Sequence, residues 1–190
     1  MPERRDDQAG GRSGKQGPFG TALTVEELHA DAQLAPEEFE ARYGNGFLLV
    51  TAAGLDSPKE TTTQLLLDGV DEDPGAHTAG LAVVVYPLRQ RDLLGGHLVT
   101  IGREKTHDIV IPDPSVSRFH AFAKQDESGA FLLQDAGSTN GTIVNGASVP
   151  ARGAGPPVRL KPGDTVRLGQ LESTFTDAPA LREFVLRAGG

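Results

Sequence analysis

The chain has 190 residues, with 26 Asp plus Glu against 18 Lys plus Arg for a formal charge of -8, and it has no cysteine. Disulfides, thiolate catalysis and cysteine-bearing zinc sites are thereby excluded, and the length suits one domain with extensions. Its 24 glycines and 13 prolines exceed the usual background of about 12%, which favours turns between short strands over long helical bundles.

Residues 1–20 carry 4 basic and 3 acidic side chains and lack the apolar stretch of a signal peptide, so a disordered leader is expected. Residues 21–80 hold 2 basic and 12 acidic side chains, and thus all the excess acidity, and are expected to form an acidic N-terminal extension. Within it, Thr24-Val25-Glu26-Glu27 fits a capping box, and Pro36 followed by Gly44 marks a helix start and stop, predicting one or two short helices with Phe39 and Tyr43 on one face. Residues 47–51 and 61–67 have strand composition, and 68–80 has that of an exposed linker.

From Leu81 the pattern changes to short strands at regular spacing, near 81–87, 97–101, 108–111, 119–125, 130–135, 142–144, 147–149, 158–160, 165–168 and 171–176. Val166 and Leu168 alternate with Thr165 and Arg167 as in a half-buried antiparallel strand. The fold class expected is all-β: an antiparallel β-sandwich of about ten short strands over residues 81–177. Residues 178–190 add a C-terminal helix and tail, with Leu181, Phe184 and Val185 on the helix's apolar face.

Several functions are disfavoured. The longest near-apolar run, Ala79 to Leu88, includes Gly80 and Pro87 and is half of the about 20 residues a membrane helix needs, so no membrane insertion and a soluble, cytoplasmic protein are expected. Residues 81–190, with 12 basic and 11 acidic side chains, offer no basic excess for a nucleic acid. The stretch GGRSGK at 10–15 lacks the spacing and the Ser/Thr of a phosphate loop. His29, His77, His97, His107 and His120 are scattered without metal-ligand spacing, and no cofactor is expected. Ser117, His120 and Asp135 name the residue types of a hydrolase triad, but no G-x-S-x-G elbow accompanies them.

Two segments carry the chemistry: Gly102-Arg103 with DIVIPDPSVSRFHA at 108–121, and DAGSTNGTIVNG at 135–146. In a sandwich such clusters fall in end loops, where distant residues meet. One Arg, one Ser-Arg pair and one Thr-Asn-Gly turn suit an oxyanion such as phosphothreonine, which carries about -1.5 to -2 charges. Arg103 can supply a bidentate fork, Ser117 and Thr139 hydroxyl donors, and Asn140 a donor and acceptor for a peptide backbone. The plainer alternatives are a surface Arg103 paired with Glu104 or Asp108, and Ser117 and Thr139 as turn caps.

The order GR, DI, SRxH and STNGTxxNG, standing here as Gly102-Arg103, Asp108-Ile109, Ser117-Arg118-Phe119-His120 and Ser138 to Gly146, resembles the forkhead-associated (FHA) domain family, including its bacterial members. That resemblance covers about Leu81 to Asp177. It implies a non-enzymatic adaptor that recognises phosphothreonine-containing proteins in Ser/Thr kinase signalling. By position, Arg103, Ser117, Arg118 and Thr139 match the phosphate contacts, Asn140 the clamp on the peptide main chain, and His120 a structural histidine, with Gly102, Gly141 and Gly146 serving backbone geometry. His107 and Pro112 depart from the family pattern, on the rim that reads the peptide. Glu60-Thr61-Thr62 is similar to a segment that, once phosphorylated, docks into the same protein's pocket in some bacterial members, so intramolecular docking of phosphorylated Thr61, Thr62 or Thr63 is one expectation and an ordinary strand at 61–67 the other. A phosphorylation-independent scaffold using residues 21–80 as its contact surface is the alternative function.

Overall fold

The computed structural model describes residues 22–51, 83–89 and 98–188. The leader at 1–20, the strand expected at 61–67, the linker at 68–80, and Thr61, Thr62 and Thr63 lie outside the described residues.

The chain opens with β1 (Leu23–Thr24), α1 (Val25–Ala32) and α2 (Pro36–Tyr43). The capping box forms as expected: Thr24 Oγ1 accepts from the Glu27 N–H at 3.2 Å, and Glu27 Oε2 accepts from the Thr24 N–H at 2.8 Å. Pro36 begins α2, and Gly44 ends it at φ 87°, a left-handed value that favours glycine. The Phe39 and Tyr43 rings lie 5.0 Å apart on its buried face.

Eleven strands follow: β2 (Gly46–Thr51), β3 (Val83–Pro87), β4 (Leu98–Gly102), β5 (Ile109–Val110), β6 (Ala121–Gln125), β7 (Phe131–Asp135), β8 (Thr142–Val144), β9 (Ala147–Ser148), β10 (Val158–Arg159), β11 (Thr165–Leu168) and β12 (Leu171–Asp177), of which β2 precedes residue 81 and ten lie beyond it. The chain closes with α3 (Ala178–Ala188). One sheet has seven strands in the order β1-β3-β2-β12-β11-β8-β9, and the other five in the order β10-β7-β6-β4-β5. Pairing is antiparallel except between β4 and β5, which run parallel with Ile101 opposite Ile109, so the sandwich is not wholly antiparallel. The strand expected at 119–125 begins only at Ala121, because His120 is drawn into the preceding loop by its ring hydrogen bonds.

The boundary drawn from charge at residue 80 does not divide the packing. β2 is an interior strand of the seven-stranded sheet, third in its order, with Leu49 opposite Thr174 of β12 and Val85 of β3. All six of its residues are buried, because both its faces are covered. Leu48 and Val50 enter the core between the sheets with Ile101, Leu133 and Val166, whereas Phe47 and Leu49 face the helices. There they join Leu28 of α1, Phe39 of α2, and Leu181 and Val185 of α3. Strand periodicity alone makes this division, since successive side chains point to opposite faces. No helix among the described residues is long and apolar enough to cross a membrane.

Candidate functional site

Loops 103–108, 112–120 and 136–141 meet at one end of the sandwich, together with the Gly169–Gln170 turn between β11 and β12. The first two loops are joined by backbone hydrogen bonds, from Arg103 N–H to the Ser117 carbonyl at 3.0 Å and from Glu104 N–H to the Arg118 carbonyl at 3.3 Å. Gly102 permits this approach: a Cβ there would stand 2.1 Å from the Arg118 carbonyl oxygen and 2.6 Å from His107 Cδ2. Asp108 ties the loop to β4, its carboxylate accepting from the backbone N–H and the hydroxyl of Thr100 at 2.8 and 2.7 Å. Arg103 is exposed, and its Nε donates to the Val116 carbonyl at 3.2 Å. That contact orients the guanidinium while its terminal nitrogens make no hydrogen bond among the described residues.

His120 organises the second loop. Its Nδ1 lies 2.9 Å from the Ser117 backbone N and can only accept there, so Nε2 carries the proton and donates to the Gly141 carbonyl at 3.1 Å. The ring is fully buried, and burial lowers its pKa despite the Gly141 carbonyl and the Asp135 charge, which favour the protonated form. Neither nitrogen can therefore take a proton from Ser117 Oγ, which removes the triad geometry that those residue types suggested. Ser117 Oγ instead accepts from the Thr139 N–H at 3.0 Å and lies 3.4 Å from Thr139 Oγ1.

Asp135 holds the third loop. One carboxylate oxygen accepts from the N–H groups of Gly137 and Ser138 at 2.7 and 2.9 Å, and the other from the Ser138 and Thr142 hydroxyls at 2.6 and 2.7 Å. Burial pushes the carboxyl pKa up, and these hydrogen bonds outweigh it, leaving the pKa below the ordinary value. Gly141 takes φ +77°, and its carbonyl receives both His120 and the Gly169 N–H. Asn140 Nδ2 donates to the Ser115 carbonyl at 2.8 Å, and Ser115 Oγ accepts from the Gln170 N–H at 2.9 Å.

The result is an open groove of about 550 Å³. Arg103, Ser117, Arg118, Thr139 and Asn140, all five residues singled out from the sequence as contacts, line it. Gly102, His120 and Gly141 stand behind its walls. Arg118 extends into solvent, 78% exposed and 3.9 Å from Glu104, a separation at which a surface ion pair contributes little. Asp135, Ser115 and Gln170 were not assigned as supports from the sequence, nor Glu104 and Phe119 as groove lining. For Asp135 a signal existed, since Asp followed at short spacing by Gly and Ser forms side-chain-bonded turns. The contact between Ser115 and Gln170 has none, the two lying 55 positions apart.

The family model of the FHA domain matches residues 99–169. The glycogen accumulation regulator GarA of Mycobacterium tuberculosis is 33% identical over 137 residues, covering 72% of this chain and 80% of that protein. An ABC transporter ATP-binding/permease protein of the same species is 35% identical over 112 residues, 57% of this chain, and there the match spans only 12% of the relative's length. A solved structure from work on phosphothreonine-dependent FHA domain interactions aligns at 27% identity with a TM-score of 0.41, covering 69% of this chain and 95% of that one.

Proposed function

The chain belongs to the FHA domain family, and on that basis we propose that it is a non-enzymatic adaptor whose groove binds phosphothreonine-containing segments of other proteins in Ser/Thr kinase signalling. The observation that carries this reading is the convergence of Arg103, Ser117 and Thr139 on one groove, held by hydrogen bonds that leave donors available. A phosphate there accepts from the terminal nitrogens of Arg103 in a planar, bidentate pairing. The Ser117 and Thr139 hydroxyls turn their protons toward it, and Arg118 adds a second positive charge from the rim. Asn140 has its amide nitrogen engaged with Ser115, which leaves Oδ1 to accept from a backbone N–H of the bound peptide. Gly102, His120 and Gly141 position these groups without touching the ligand. The proposed setting is the cytoplasm.

The alternative, a phosphorylation-independent scaffold that uses residues 21–80 as its contact surface, is opposed by the packing. In the described part of that stretch, Leu28, Phe39, Phe47 and Leu49 are spent on the protein's own second core. A library of phosphothreonine peptides assayed beside its unphosphorylated counterpart separates the two readings. Binding confined to the phosphorylated library is the expected result, and equal binding of both libraries would overturn the adaptor reading in favour of the scaffold.

A further inference from the structure

One wall of the groove has a chemistry that phosphate recognition does not use. Phe119 is 42% exposed, one of two large hydrophobic side chains left exposed among the described residues. It does not project loosely: its ring stacks on His107, with centroids 5.0 Å apart and planes inclined by 21°, and lies 6.3 Å from the Phe122 ring of β6. Both His107 and Phe119 line the groove. The His107 ring is seated over Gly102, where any Cβ would strike it, and its Nε2 is buried with no hydrogen-bond partner among the described residues. Packing, and not a polar contact, therefore sets the position of the ring. The outcome is a firm aromatic shelf beside the cationic and hydroxyl groups, with the Phe119 side chain partly in water.

We propose that the His107–Phe119 stack is a second subsite that takes an apolar side chain of the bound segment, at a position flanking the phosphothreonine. This inference rests on the phosphopeptide reading above and adds a selectivity to it. The occupant follows from the continuity of the groove: a chain held at its phosphate by Arg103 and Ser117 passes within the same cleft over Phe119, which lies two residues beyond Ser117 in a loop zipped to Arg103. The formal positive charges of this wall belong to Arg103 and to Arg118, which extends into solvent beside Glu104, and the shelf itself presents ring faces. An aliphatic or aromatic side chain laid on it removes apolar surface from water on both partners.

The test uses the whole chain and a phosphothreonine peptide with alanine at every flanking position, into which leucine or lysine is placed at one position at a time. At one flanking position leucine should improve affinity by about five- to ten-fold over alanine, as expected for covering roughly half of a leucine side chain. Phe119→Ala should abolish that gain while binding stays phosphate-dependent, and Phe119→Leu should retain most of it. Phosphate-dependent binding with no leucine gain, with a gain from lysine instead, or with a gain that survives Phe119→Ala would overturn the shelf and leave the adaptor reading standing. Loss of phosphate dependence for every peptide would overturn both. Circular dichroism of each variant secures the comparison, and the half-exposed position of Phe119 makes the substitutions mild for folding.

Discussion

At the scale of single residues, the groove divides, on the proposed reading, into groups that would touch the ligand and groups that hold them. Arg103 is proposed to be of the first kind: it is exposed, oriented through Nε, and its terminal nitrogens make no hydrogen bond among the described residues. Arg103→Ala should lower phosphothreonine-peptide affinity by about 1.5–3 kcal/mol, the range for hydrogen bonds to charged groups, with thermal stability unchanged. Titration calorimetry decides this, and unaltered affinity in a folded variant would remove Arg103 from the site. His120 is of the second kind, and its burial has a pH consequence. Its pKa lies below the ordinary 6.5, so between that value and the lowered one the unfolded chain holds a proton that the folded protein does not. Stability from this group is therefore complete above about pH 6.5 and falls as pH drops toward the folded value, by at most about 1.4 kcal/mol per pH unit. His120→Gln should be less stable than wild type at about pH 7.5, and the difference should narrow toward about pH 5. Urea unfolding of the two proteins across that range checks it, a constant difference being the contrary outcome.

At the scale of elements, the helices and the groove draw on separate cores. α3 contributes Leu181 and Val185 to the cluster with Leu28, Phe39 and Phe47, on the outer face of the seven-stranded sheet, and that cluster contains no residue of the groove. Leu181→Ala should therefore cost about 2–5 kcal/mol of folding stability through the cavity it leaves. Peptide affinity, measured well below the lowered melting temperature, should stay at the wild-type value. A parallel loss of affinity would show that the helical layer also sets the loops. The strands nearest the groove are short, β5 having two residues and β8 three. Side-chain hydrogen bonds from Asp108, His120 and Asp135 do there what longer ladders do elsewhere.

At the scale of the whole molecule, the antiparallel order places the ends of one segment. β12 runs from the Gly169–Gln170 turn, which touches Ser115 of the groove, toward Asp177, and Asp177 is opposite Gly46 at the start of β2. β2 runs back the other way, so Thr51, paired with Val83, lies at the groove end of the sheet. Thr51 and Val83, which bracket the stretch of sequence holding Glu60-Thr61-Thr62, thus both lie at the end where the loops converge. Thr62 is 11 positions beyond Thr51, a reach of up to about 36 Å, and tethering sets an effective concentration of order millimolar. A phosphothreonine in this stretch should accordingly compete with added peptide. Kinase-treated protein is expected to lose peptide binding that a Thr61/Thr62/Thr63→Ala variant retains after the same treatment. Phosphorylation of these threonines with undiminished peptide binding would exclude the competition.

What the amino-acid sequence by itself determined is local. The Thr24–Glu27 capping box, the Pro36 start and Gly44 stop of α2, the alternation of β11 and the Gly, Asn and Ser turns each depend on residues a few positions apart, so composition and spacing reveal them. The ordered set from Gly102 to Gly146 was legible for the same reason, and the five residues it marks as expected contacts all line the groove. The tertiary structure alone decided what depends on pairing across the chain. A charge boundary could not reveal that β2 belongs inside the larger sheet, because acidity describes exposed side chains while sheet order follows from buried faces. Nor could spacing show that His120 commits both ring nitrogens, to Ser117 and to Gly141, or that His107, seated over Gly102, stacks on Phe119. Those contacts arise only when strands separated along the chain bring their loops to one end, and strand pairing is set by the packing of the whole core.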